Sequence, residues 1–151
     1  MGGERLSLFD FSLPIYRREN VIVVPTADGQ TWGVKDLAGR TITGDKGTYI
    51  ENLIERTGVN VRIMTTSSKE EAMGLLKAGD VSACLMPRAV ALYLGRKLDL
   101  PIRVVGVGDA GSPVVFAFPK SGSAWRARFD RAIGLLKSSG RLDAILAAWS
   151  R

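Results

Sequence analysis

Gly39-Arg40-Thr41-Ile42-Thr43-Gly44-Asp45-Lys46-Gly47-Thr48 is the stretch on which the reading of this chain turns. Its β-branched residues predict a short strand over Thr41–Thr43, followed by a glycine-rich turn. A helix is expected from about Tyr49, because Ile50, Leu53 and Ile54 recur on one face. Gly44 and Gly47 can adopt backbone angles that other residues avoid. Thr48 suits a helix N-cap, and Glu51 three residues on completes a capping-box pattern. Such a turn presents free N–H groups at the positive end of a helix dipole, which suits a carboxylate or another anion. The same pattern also describes an ordinary capped turn of an α/β fold.

Outward from this stretch, strands and helices alternate. Upstream, Val21-Ile22-Val23-Val24 is an unbroken β-branched run stopped by Pro25, as expected of a strand buried on both faces. Trp32 to Leu37 forms a short turn into the glycine-rich element. Downstream, strands are expected over Val59–Met64, Val81–Met86, Ile102–Val107 and Val114–Phe118. Helices are expected from Lys69 to about Ala78, closed by Gly79, and from Arg88, just after Pro87, to near Gly95–Leu98. Two helices end the chain. One carries Trp125, Phe129, Ile133 and Leu136; the other carries Leu142, Ile145, Leu146 and Trp149. This alternation predicts an α/β domain with a largely parallel sheet, whose ligands bind at the carboxyl ends of the strands.

The bulk properties exclude several classes. The chain has 151 residues, enough for a real core, and 46% of them are hydrophobic, so it is globular rather than disordered. No run is long and apolar enough to span a bilayer, and no signal peptide is visible. With no histidine and one cysteine, Cys84, ordinary zinc sites and Ser-His triads are excluded, and no cofactor is expected. Cys84 sits in an apolar run and reads as a small core residue. The net charge is +6, and seven basic residues against two acidic ones follow from Lys120 onward. A solvated helix face explains them, and no motif supports a nucleic-acid partner.

Several motifs in order carry a resemblance. Arg5 with Phe11-Ser12-Leu13-Pro14-Ile15-Tyr16 resembles an "R…FSxPY" segment, and Val34 to Arg40 resembles "sl.DLkGk". Gly47-Thr48 resembles a "G[ST]" ligand turn. Glu71-Ala72, Leu76, Gly79 and Val81-Ser82-Ala83 resemble "eal.aL..GrvDA", and Gly140 to Trp149 a closing "G...ki..kW" helix. Together these are similar to the family 3 periplasmic solute-binding proteins, the amino-acid-binding components of ABC importers with relatives in sensors and receptors. The resemblance implies a type II periplasmic-binding-protein-like α/β fold, built from two lobes joined by two hinge strands. On that pattern residues 1–20 are a remnant of lobe one, and 21–113 are lobe two with the first hinge strand, Val21 to Val24. Residues 114–151 are then the second hinge strand and the closing helices. The opening strands of lobe one have no counterpart here, so the closing helices are expected to find cover in a second copy, a homodimer.

The resemblance also implies roles. Arg5 falls where an arginine grips the ligand's α-carboxylate, for which a guanidinium is bidentate and always charged. Thr48 falls where a hydroxyl and N–H meet the same carboxylate, Gly47 is the glycine of that turn, and Asp45 falls on the pocket wall. Two positions depart from the pattern. Pro87 stands where an aspartate pairs with the α-ammonium, and Ser82 replaces the aspartate of "DA", so an ordinary α-amino acid is not the implied ligand. The expected function is binding of a small amino-acid-like or organic anion, in the periplasm, for an ABC permease or a receptor, without membrane insertion and without catalysis. Two alternatives stay open. One is an interaction fragment that does not bind solute. The other is a dehydratase-type enzyme, which would need an acid or base from Asp45, Asp109 or Glu70.

Overall fold

The computed structural model describes residues 7–44, 48–108 and 111–149, with side chains for all of these except 48–52, 123 and 149. The strands are β1 (Phe9–Phe11), β2 (Tyr16–Arg18), β3 (Asn20–Pro25), β4 (Thr41–Gly44), β5 (Arg62–Thr65), β6 (Ala83–Pro87), β7 (Ile102–Gly106), β8 (Ser112–Val114) and β9 (Ala117–Pro119). The α-helices are α1 (Thr48–Thr57), α2 (Lys69–Ala78), α3 (Arg88–Lys97), α4 (Ser123–Ser138) and α5 (Arg141–Trp149). Two compact units form, one from Glu19–Ala110 and one from Met1–Arg18 with Gly111–Arg151.

In the first of these units the five strands lie in the order β5-β4-β6-β3-β7. β4 pairs in parallel with β5 and β6, while β3 runs antiparallel to both β6 and β7. The sheet is therefore mixed rather than uniformly parallel: four strands share a direction and β3 opposes them. An apolar run signals burial on both faces but carries no direction. The direction follows from the connections, since helices link β4, β5, β6 and β7 in turn, whereas β3 reaches β4 through the loop over 26–40.

β3 is the centre of this unit. Val21, Ile22, Val23 and Val24 are all buried, and successive residues feed opposite faces. Val21 and Val23 join Ala72, Met73 and Leu76 of α2 and Ala91 and Leu94 of α3. Ile22 and Val24 join Leu37, Ile42, Leu53 of α1, Leu85 and Val105. Each such side chain contributes about 1.5–3 kcal/mol of transfer free energy. α2 ends as the sequence predicts, with Gly79 at φ 83. α3 lies so close to β7 that a Cβ on Gly95 would meet the Ile102 Cδ1 atom at 2.8 Å.

The second unit contains two small antiparallel ladders, β1 with β9 and β2 with β8, together with α4 and α5. The single strand expected over Val114–Phe118 is in fact two short ones. The ladder shifts register between Phe11↔Ala117 and Tyr16↔Val114, because Ser12 to Ile15 oppose only Val115 and Phe116. Ser12 still exchanges hydrogen bonds with Phe116, and the Leu13 N–H turns to the Asp130 carboxylate at 2.6 Å. Pro14, with no N–H to give, sits inside this bulge. Phe129 is met edge-on by Phe116 and Phe118, with ring centroids 5.1 and 5.2 Å away. Ile133 and Leu142 are buried. Trp125 is not: it is 59% exposed, with the Arg128 guanidinium over its ring.

Cys84 is buried in β6, as its sequence context predicts, and its thiol donates to the Ala72 carbonyl oxygen at 3.2 Å. Burial pushes this thiol up to about 12, against a small opposing pull from Lys69. Iodoacetamide at mildly alkaline pH is therefore expected to leave Cys84 unmodified in the folded chain and to modify it in urea. Fast labelling without denaturant would contradict this packing.

Candidate functional site

The carboxyl ends of β4, β5 and β6 point to one edge of the sheet, since the three strands are parallel. β4 ends at Gly44 and α1 begins at Thr48, so the strand and the helix that the sequence predicts on either side of residues 45–47 both form. Thr48 is the first described residue of α1, while Gly47, Asp45 and Arg5 lie outside the described residues. Thr48 thus starts the helix end that carries the positive pole of its dipole. At the far end of α1, the Thr57 hydroxyl folds back onto the Leu53 carbonyl at 2.8 Å.

Hydroxyl groups line the neighbouring strand ends. Thr43 is fully buried, and its Oγ1 lies 3.3 Å from the Thr66 Oγ1. After β5, Ser68 caps α2 by accepting from the Glu71 N–H at 3.0 Å. Glu71 in turn reaches back past the cap residue, accepting from the Ser67 N–H at 2.7 Å and the Ser67 hydroxyl at 2.6 Å. Those two bonds, the hydroxyl first, hold the Glu71 carboxyl below its ordinary range. Glu71 is thereby committed to the cap. Glu70, a candidate acid or base by sequence, is exposed and lies 3.9 Å from the Lys97 ammonium; Asp109 lies outside the described residues.

At the same edge β6 ends in Pro87, directly opposite Asn20 of β3. The Arg88 N–H, at the start of α3, donates to the Glu19 carbonyl at 2.9 Å. Asn20 is only 8% exposed. Sequence reasoning passed over it, although a polar residue leading a run of four apolar β-branched ones is a visible signal.

The opposite end of β4 is anchored by a polar network. Asp28 accepts from the Gln30 and Thr31 N–H groups at 2.8 and 3.0 Å, from the Thr31 hydroxyl at 2.9 Å and from Arg40 at 2.7 Å. Arg103 of β7 donates to the Thr31 carbonyl at 2.8 Å and stacks on Trp32. Burial of Asp28 disfavours its charge, but the Gln30, Thr31 and Arg40 bonds outweigh burial and hold the carboxyl well below the ordinary range. This cluster fixes the loop from β3 and the residue preceding β4, and so sets where the glycine-rich turn emerges.

Among the described residues, no group of three or more His, Cys, Asp or Glu could hold a metal ion. None of the described helices is long and apolar enough to cross a membrane. The small void between Ile22, Leu37, Leu53 and Leu85 is lined by apolar side chains, as befits a packing gap in the core.

Residues 1–151 match the family described as bacterial extracellular solute-binding proteins, family 3. The Vibrio harveyi protein PatH, named as an amino-acid ABC transporter-binding protein, is 25% identical; the match covers 85% of this chain and 52% of PatH. A Streptococcus pneumoniae amino acid ABC transporter substrate-binding protein, AbpA, solved with L-arginine, superposes with a TM-score of 0.78 at 26% identity. That match covers 99% of this chain and 64% of AbpA. The ytmK extracellular-binding protein of Bacillus subtilis shares the fold with a TM-score of 0.89 at 19% identity, over 99% of this chain and 67% of ytmK. The chain therefore spans about half the length of its curated relative and about two thirds of these solved ones.

The Asp28 network carries a pH dependence of definite sign. Its folded-state pKa is depressed, so its stabilisation is present above the unfolded value of about 3.9 and is lost as pH falls below it. Asp28→Asn is expected to cost about 1.5–3 kcal/mol at neutral pH. Urea melts of the two proteins should converge as the solution is acidified below about pH 4. A constant gap across that range would assign the stabilisation elsewhere.

Proposed function

This chain belongs to the bacterial extracellular solute-binding proteins, family 3, and from that premise we propose that it binds a small amino-acid-like or organic anion for ABC uptake or ligand sensing. One observation carries the proposal: β4 ends, and α1 begins four residues later, at the carboxyl edge of a mostly co-directional sheet. A helix start at that edge is a ready anion receptor. On this reading Thr48 and Gly47 receive the ligand carboxylate, Arg5 grips it with a bidentate guanidinium, and Asp45 walls the pocket. Residues 21–113 then act as lobe two, and residues 114–151 as hinge strand and closing helices. The working compartment is the periplasm, and the partner is an ABC permease or a receptor.

The hydroxyl-rich strand ends favour binding over catalysis. Glu71 is spent on its cap and Glu70 is solvent-exposed beside Lys97, which leaves neither poised as a general acid or base. Calorimetry with L-arginine, L-glutamine and a set of dicarboxylates tests the proposal. Binding of one of them is expected, weakened by Arg5→Ala by about 1.5–3 kcal/mol. Silence across the panel would favour an interaction fragment, and turnover of a substrate would favour the dehydratase-type reading.

We also propose a homodimer, because the unit containing α4 and α5 leaves large apolar groups uncovered. Trp125 is 59% and Ile145 48% exposed. A second copy would bury them, at about 1.5–3 kcal/mol for each large side chain. The eleven basic and eleven acidic residues of 19–110 cancel, so the whole +6 falls on this unit. Sedimentation at low micromolar concentration is expected to give a dimer at about 0.15 M salt and dissociation at low salt, where that charge is poorly screened. A monomer under both conditions would refute it.

A further inference from the structure

The helix α4 has two dissimilar sides. One packs on strands of its own unit: Phe129 meets Phe116 and Phe118 edge-on, Asp130 accepts the Leu13 N–H at 2.6 Å, and Ile133 is buried. The other side is turned to solvent. At helical spacing it carries Trp125, Arg128, Ala132 and Leu135, with Arg131 beside them. Trp125 is 59% and Leu135 64% exposed, and Arg128, Arg131 and Ala132 are exposed as well.

The charges of this outer side are cations alone. The Arg128 guanidinium lies over the Trp125 ring, 5.2 Å from its centroid. Among the described residues neither Arg128 nor Arg131 pairs with a carboxylate. The described acids of this unit lie elsewhere: Asp10 binds Lys120 at 2.8 Å, Asp130 belongs to the packed side, and Asp143 stands in the first turn of α5. Water gains nothing from an uncovered indole and a leucine. A lipid headgroup layer uses both, because its acyl boundary takes the apolar groups while its phosphates meet the cations. An indole suits that layer, being an apolar ring with a polar N–H, and a guanidinium binds phosphate through two parallel bonds.

We propose that the outer side of α4 docks on an anionic phospholipid surface, with the helix lying in the plane of that surface. Trp125 and Leu135 enter the boundary between headgroups and acyl chains, and Arg128 and Arg131 bind lipid phosphates. Charge complementarity selects this occupant. A second copy brings the same cations to the contact, whereas an anionic bilayer opposes them with phosphates. The dimer proposed above also covers Trp125, so pairing and docking compete. Low salt weakens the first and strengthens the second.

The test is co-sedimentation of the full chain with vesicles of phosphatidylcholine, alone or mixed with phosphatidylglycerol, at about 0.05 M and about 0.5 M salt. Binding is expected to the mixed vesicles only, and mainly at the lower salt. Arg128→Gln combined with Arg131→Gln removes two charges and is expected to weaken partitioning about thirty-fold. Trp125→Ala is expected to weaken it about ten-fold. The altered side chains are exposed, so both variants are expected to keep the parent's melting temperature at the lower salt. Unchanged partitioning of either variant, equal binding to neutral and mixed vesicles, or no binding to the mixed ones would overturn the proposal. Calorimetry reads solute binding separately, so failure of one reading leaves the other standing.

Discussion

Burial of β3 on both faces is the constraint on which the unit 19–110 depends. Four consecutive β-branched residues have no solvent side, so a helical layer must cover each face, and two separate cores result. Apolar alternation cannot set the register here, because a one-residue slip would exchange Val21 and Val23 for Ile22 and Val24, which are equally apolar. The ends of the strand set it instead. Asn20 is polar at one end, and Pro25 lacks a donor at the other. The strand can slide neither way without burying a polar residue more deeply or breaking a ladder bond.

That constraint also locates the end of β4. β6 is paired with β3 on one side and β4 on the other, so the position of β3 fixes where β4 ends. The Asp28, Thr31, Arg40 and Arg103 network fixes where β4 begins. Charge-assisted bonds are strong when partly shielded from water, and this network gathers several of them around Asp28. The carboxyl end carries the Thr43 and Thr66 hydroxyls, the start of α1 and Asn20. Polar groups that stabilise and polar groups that remain available are thus divided between the two ends of the same strands.

Charge is divided just as sharply. The unit with the mixed sheet is neutral, and the unit with α4 and α5 carries the entire excess of +6. On α4, Arg128 lies over the exposed Trp125 ring, so cation and apolar surface adjoin on that helix. A uniform surface would suit a particle indifferent to orientation. Net charge and exposed apolar side chains such as Trp125 and Ile145 thus belong to the same unit, while the unit with the mixed sheet carries no net charge.

Much of this was legible in the chain itself. Short-range signals dictated the elements: Ser68, Glu71 and Gly79 bounded α2, Pro87 announced α3, and the glycine-rich turn announced α1. The ordered motifs, from Phe11-Ser12 to Gly140–Trp149, identified the family, because such patterns are local and survive in the sequence. What tertiary structure alone decided is relational. The reversed direction of β3 comes from which strands it meets, and nothing within Val21–Val24 encodes it. The split of Val114–Phe118 comes from a bulge in the opposing segment at Ser12 to Ile15. Asn20 reads in the sequence as a polar residue before a strand. It becomes a largely buried residue opposite Pro87 only when β6 pairs with β3, because burial and pairing belong to the assembled sheet and not to any residue in it.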